Sequence, residues 1–195
     1  MKTGIFGGAF NPVHNGHLAL AEHYKKSLSL DRIIFIPTAD PPHKPSDGLI
    51  DGKDRINMLN LCVGENEFVS DMEFRRDGKS YTYLTLCELR KLYPNEEFYL
   101  IVGADQFFYF EKWYKFEEIM SLATVVTAAR EKNQYDEMLD FKAEHPKLAD
   151  VIVSEFDVID ISSSQIRDMI KNGEDVSEFI PKKVNEYIKE HGLYV

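Results

Sequence analysis

The chain has 195 residues, 44% hydrophobic and 29% charged, with a formal net charge of −10. That length suits one substantial folded unit, and the composition excludes intrinsic disorder. The negative balance excludes a broad nucleic-acid surface, which needs clustered Lys and Arg, but leaves room for a small phosphate ligand in a local positive pocket.

Lys2–Gly7 predicts a first strand, too short for the apolar region of a secretory signal with its cleavage site. A loop rich in glycine follows, and then a helix from about Gly16 to Leu30, with Leu20, Ala21, Tyr24 and Leu28 spaced for one buried face. Arg32–Pro37 is nearly all apolar, as a strand covered on both faces requires. Lys53–Val63 predicts a helix, Phe68–Met72 a strand, and Thr82–Leu92 a helix ending at Tyr93-Pro94. Phe98–Val102 predicts another buried strand, followed by Gly103 and a helical stretch that includes Phe116–Leu122. Thr124–Ala128 and Val151–Val153 predict strands on either side of a helix over Gln134–Ala143. Ser164–Lys171 and Pro181–Glu190 are the last helices, the second with proline at its favoured first position.

Alternating strands and helices predict an α/β protein with a parallel sheet covered by helices. No repeat or low-complexity linker divides the chain, so one domain over residues 1–195 is expected. No apolar run nears the roughly 20 residues that span a bilayer, and the expected location is cytoplasmic, with no membrane partner. Cys62 and Cys87, each in a helical apolar pattern, are expected as reduced core thiols.

In parallel sheets a ligand sits beyond the carboxyl ends of the strands, near a topological switch point. Two segments fall at such ends: Gly7-Gly8-Ala9-Phe10-Asn11-Pro12-Val13-His14-Asn15-Gly16-His17 and Gly103-Ala104-Asp105. Gly7-Gly8 would let the backbone approach a ligand and adopt positive φ. The helix beginning near Gly16 would offer N–H groups and a positive dipole end to an anion. His14 and His17, three residues apart, would face one region and donate to phosphate oxygens. A generic glycine loop with two incidental histidines reads equally well from these residues. A His-x-x-His metal pair lacks a nearby third ligand, and the dinucleotide fingerprint G-x-G-x-x-G is absent here. Ile161-Ser162-Ser163-Ser164-Gln165-Ile166-Arg167 reads as a capped helix start, or as a cradle of hydroxyls and a cation for phosphates. Asp105 could cap the next helix or accept from ribose hydroxyls.

His14-Asn15-Gly16-His17 resembles the H-x-G-H signature of the nucleotidyltransferases, and most closely that of bacterial nicotinate-mononucleotide adenylyltransferases. The resemblance extends through Pro37-Thr-Ala-Asp-Pro-Pro-His-Lys44, Ser80-Tyr-Thr82, Gly103-Ala-Asp105, Trp113 and the Ile161–Arg167 segment, in the family's order and over nearly the whole chain. Ala9 and Asn11 stand where that family commonly has Thr and Asp, and Arg130 precedes Glu131-Lys132 where a Pro-Gly turn is often seen, so Arg130 is left out of the site.

The resemblance implies a Rossmann-like nucleotidyltransferase fold, and the transfer of an adenylyl group from ATP to nicotinate mononucleotide, with Mg²⁺ accompanying ATP. It implies catalytic roles for His14, His17, Lys44 and Arg167. ATP would meet Gly7, Gly8, Phe10, His14, His17, Gly103, Asp105, Ile161, Ser163 and Arg167. The mononucleotide would meet Lys44, Thr82, Thr85, Trp113 and Tyr114, with Trp113 stacked on the pyridine ring and the start of the Thr82 helix facing the carboxylate. The residues implied include no protein metal site. The rival readings are transfer to nicotinamide mononucleotide or phosphopantetheine, and a nucleotide-binding sensor without catalysis. Release of pyrophosphate separates enzyme from sensor.

Overall fold

The computed structural model describes residues 1–42, 48–129, 132–156 and 161–195. Lys44 and Arg130 lie outside them. The described chain runs β1 (Lys2–Gly8), α1 (Asn15–Ser27), β2 (Arg32–Pro37), α2 (Gly52–Asn60), β3 (Glu67–Val69), α3 (Thr82–Leu92), β4 (Glu97–Gly103) and α4 (Ala104–Phe107). It continues with α5 (Phe116–Leu122), β5 (Thr124–Ala129), α6 (Lys132–Glu144), β6 (Ile152–Glu155), α7 (Ser163–Lys171) and α8 (Lys182–His191).

The six strands form one sheet in the order β3-β2-β1-β4-β5-β6, and every pairing is parallel. Chain order runs outward in both directions from β1, so the switch point lies between β1 and β4. Strand residues alternate between two cores. Phe6, Ile33, Phe35, Ile101 and Val126 pack with α1 and α8, while Ile5, Ile34, Ile36, Leu100 and Val125 pack with α3, α5 and α6. Burial on both faces is why these strands read as apolar runs instead of as alternating ones. Leu20, Ala21 and Tyr24 are the buried stripe of α1, as their spacing predicts.

Several expected boundaries shift for local reasons. The first helix stops at Ser27, not near Leu30, because Ser29 takes φ +52° and the Leu30 amide returns to the Lys25 carbonyl. The second starts at Gly52, where the Asp51 carboxylate accepts from the Lys53 amide, and ends at Asn60, short of Val63. The strand expected to reach Met72 stops at Val69, and Met72–Arg75 forms a 3₁₀ turn. Pro181 occupies the N-cap of α8 and not its first helical position. Both thiols are half-buried; Cys62 donates to the Met58 carbonyl at 3.2 Å, and burial pushes its pKa up to about 12. That leaves it a packing residue and not a nucleophile.

Candidate active site

A cavity of about 350 Å³ opens at the carboxyl ends of β1, β2 and β4, where the strand order switches. Of the residues expected at a site, Gly7, Gly8, Gly103, Ser163, Arg167, Thr82, Thr85, Trp113 and Tyr114 form its wall. Gly7 and Arg167 lie 160 positions apart in the chain, yet the sheet brings all of these groups to one opening. His14, His17, Phe10, Ile161 and Asp105 are not part of that wall.

Phe10 is 1% exposed at φ +46°, and its ring packs on Phe6, Phe35 and His17. Ile161 is buried in the same core. Both side chains therefore form the floor beneath the loop. Asp105 is exposed in the first turn of α4, and Gly103, not Asp105, holds the N-cap position there.

The glycines divide by cause. None of Gly7, Gly8 and Gly103 has positive φ; in this loop it is Phe10 that does. A Cβ on Gly8 would lie 3.2 Å from the Phe10 ring, so packing explains that glycine. A Cβ on Gly103 would meet nothing within 4 Å, and one on Gly7 only the Ile36 carbonyl at 4.0 Å. Their missing side chains leave space in the cavity and serve no packing need. Gly103→Val should therefore keep the melting temperature within about 3 °C and raise the KM for nucleotide about tenfold or more, because the new methyls overpack the ligand. Thermal melts and steady-state kinetics check both halves.

His14 is the N-cap of α1, and its amide donates to His17 Nδ1 at 3.3 Å. The two rings lie 3.6 Å apart, tilted by 31°. Because Nδ1 accepts, the neutral His17 ring carries its proton on Nε2, which makes Nε2 the donor. The α1 N-terminus is less open than expected. Its first amide, from Asn15, donates to the Phe179 carbonyl at 2.8 Å, and the Asn15 side chain donates to the Glu178 carbonyl.

The three serines have separate tasks. Ser162 caps α7 through a reciprocal pair with Gln165. The Ser163 hydroxyl donates to the Pro12 carbonyl at 2.9 Å. Arg167 Nη1 donates to the Asn11 carbonyl at 2.8 Å, and Nη2 to Ser164 Oγ at 3.1 Å. These two bonds fix the guanidinium on the cavity wall and use two of its five N–H donors.

At the other end Tyr81, not Thr82, occupies the N-cap of α3, with no side-chain cap bond. Thr82 opens the helix on the cavity wall. The Thr85 hydroxyl donates to Glu73 Oε1 at 2.6 Å and accepts from Arg76 at 3.2 Å, so it shapes the wall and has no donor left for a ligand. Trp113 packs edge-on against Phe110, and the exposed Tyr114 ring lies 4.7 Å from Tyr81.

A family model described as cytidylyltransferase-like matches residues 5–169. The chain belongs to the cytidylyltransferase-like family. A relative from Clostridium tetani is 41% identical over 197 residues, covering 99% of this chain and 98% of its own, and is described as a probable nicotinate-nucleotide adenylyltransferase. A relative from Lachnoclostridium phytofermentans with the same description is 39% identical over 198 residues, covering 100% and 99%. Among solved structures, the Plasmodium falciparum nicotinic acid mononucleotide adenylyltransferase complexed with NaAD superimposes with a TM-score of 0.81 over 99% of this chain and 97% of its own. At 20% identity that likeness concerns the fold.

Within this cytidylyltransferase-like site, sequence reasoning missed Arg55. It is 2% exposed and donates to the carbonyls of Ala9 at 2.9 Å, Thr38 at 2.7 Å and Ile50 at 3.3 Å. Burial lowers its pKa, yet a guanidinium stays charged. A buried cation under the cavity, with Arg167 on its wall, offsets the chain's negative charge locally. A signal was present: Arg55 shares the buried face of α2 with Met58 and Leu59, a position where a charge needs a reason. Among the described residues no three His, Cys, Asp or Glu side chains gather into a metal cage.

Proposed function

We propose that this protein transfers the adenylyl group of ATP to nicotinate mononucleotide, giving deamido-NAD and pyrophosphate. The observation that carries this is the pairing, in one cavity, of a glycine-lined wall bearing Arg167 with an aromatic wall at the uncapped start of α3. The first suits a triphosphate and the second a flat anionic ring. Relatives about 40% identical over their full length bear that activity in their names.

In this reading a 5′-phosphate oxygen of the mononucleotide attacks the α-phosphorus of ATP in line. The bond from the α-phosphorus to its bridging oxygen breaks, and pyrophosphate leaves with the electron pair. The phosphate monoester is itself the nucleophile, so the protein contributes position and charge. By resemblance, His17 donates to a phosphate oxygen from the start of α1, and His14 holds the His17 ring through its amide and its tilted, adjacent imidazole. Arg167 holds the departing pyrophosphate. Lys44, by resemblance, adds a cation to the substrate phosphates. Mg²⁺ enters as part of the nucleotide substrate. The chain acts as one catalytic unit on cytoplasmic metabolites, and no helix among the described residues is long and apolar enough to cross a membrane.

The choice of acid over amide follows from the aromatic wall. The α3 amides donate and do not accept, so a carboxylate pairs with them where a carboxamide would present donors. Glu73 is the group on that wall that would favour the amide, and Arg76 opposes it through Thr85. The kcat/KM for nicotinate mononucleotide should exceed that for nicotinamide mononucleotide by about 10- to 100-fold. Equal values, or preference for the amide, would overturn the acceptor assignment and leave adenylyl transfer standing.

A further inference from the structure

Asn11 joins parts of the chain that are far apart in sequence. It is 2% exposed, its Nδ2 donates to the Gly48 carbonyl at 2.8 Å, and its Oδ1 accepts from the Ile50 amide at 3.4 Å. Its main-chain carbonyl accepts from Arg167 at 2.8 Å. The shortest bond to its side-chain oxygen comes from Tyr194, whose hydroxyl donates at 2.9 Å from 183 positions away.

Tyr194 is held there against its own backbone preference. Gly192 ends α8 at φ +59°, and the Leu193 amide returns to the Ile188 carbonyl. Tyr194 then takes φ +67°, a conformation uncommon for a residue with a Cβ, and is 9% exposed. An observed outlier of this kind points to a constraint worth its strain. The hydroxyl stays protonated, since burial raises its pKa, and it therefore donates at every working pH.

We propose that Tyr194 is a positioning residue for the triphosphate half of the site: its hydroxyl fixes Asn11, and the Asn11 carbonyl fixes Arg167. The inference rests on the reading that Arg167 faces the triphosphate. The geometry gives a sequence of physical causes. Without the hydroxyl, Oδ1 keeps only the long Ile50 contact, the loop from Phe10 to Pro12 gains freedom, and the carbonyl that orients the guanidinium moves with it. Nothing in this chain of contacts reaches Thr82, Trp113 or Tyr114, so the acceptor half should not respond.

The test is steady-state kinetics on Tyr194→Phe, Arg167→Ala and the double variant, using ATP and nicotinate mononucleotide, with thermal melts alongside. Tyr194→Phe should raise the KM for ATP about five- to tenfold and leave the KM for the mononucleotide within about twofold. KM does not depend on the folded fraction, so the comparison survives a loss of stability. In the Arg167→Ala background the same change should have no further effect on the KM for ATP, because the side chain it positions is gone. A Tyr194→Phe enzyme with a lower melting temperature and unchanged KM for ATP would overturn the proposal, as would equal shifts in both KM values or simple additivity with Arg167→Ala. If Arg167→Ala itself leaves the KM for ATP unmoved, the underlying reading fails and the proposal falls with it. If Arg167→Ala moves it and Tyr194→Phe does not, the proposal alone fails.

Discussion

His17→Ala should lower kcat by about 10²–10³, the usual cost of removing one donor aimed at developing phosphate charge. The ring is supported for that task on three sides. Phe10 and Phe6 meet it edge-on at 5.0 and 6.0 Å, the tilted His14 ring lies at 3.6 Å, and the His14 amide donates to Nδ1. These contacts hold the ring in one orientation. The substitution also removes a packing partner of Phe10, so thermal melts must accompany pyrophosphate-release kinetics. His17→Gln, which keeps an N–H donor on a similar reach, should recover part of the rate. His14→Ala should be damaging too. A His17→Ala enzyme with more than half of wild-type turnover would remove the histidine from the chemistry.

The sheet could be read from the chain because its strands are buried on both faces, and such strands stand out as unbroken apolar runs. Arg32–Pro37 matches its predicted bounds for this reason. The two strand ends expected to carry the site are those of β1 and β4, and the sheet order puts the switch point between them. Helix ends were less legible. The turn at Ser29 depends on a positive φ that no glycine or asparagine announced.

Within the site, motifs located segments but not the direction of each side chain. Phe10 and Ile161 sit in the right segments and turn into the core. Thr85 lies on the cavity wall, but its hydroxyl is spent on Glu73 and Arg76. Arg55 and Tyr194 went unseen because their contacts, to Ala9 and Asn11, span 46 and 183 positions. No local pattern carries such pairs. Asn11, which a comparison of motifs marks only as a lost charge, uses its amide in a way a carboxylate could not: Nδ2 donates to the Gly48 carbonyl.

Arg167→Ala should lower kcat/KM for ATP by about 10- to 100-fold, the loss expected for hydrogen bonds from a charged donor to phosphate. The change should appear in the KM for ATP, with or without a fall in kcat, and only weakly in the KM for the mononucleotide. Two of the five guanidinium donors are engaged by Asn11 and Ser164, and this anchoring gives the remaining fork its direction. Arg167→Lys should not restore the enzyme, because one ammonium cannot hold both anchors and still present a planar fork to phosphate. A variant that loses affinity for the mononucleotide and keeps its affinity for ATP would move Arg167 to the acceptor half.

Direct adenylyl transfer between the two halves of one cavity can be followed atom by atom with an isotope. Nicotinate mononucleotide carrying ¹⁸O in its phosphate is incubated with ATP, Mg²⁺ and the protein, and the products are followed by ³¹P NMR. The expected products are a dinucleotide that keeps the label and an equal amount of pyrophosphate that carries none. Label in the pyrophosphate, or consumption of ATP without a dinucleotide, would contradict it.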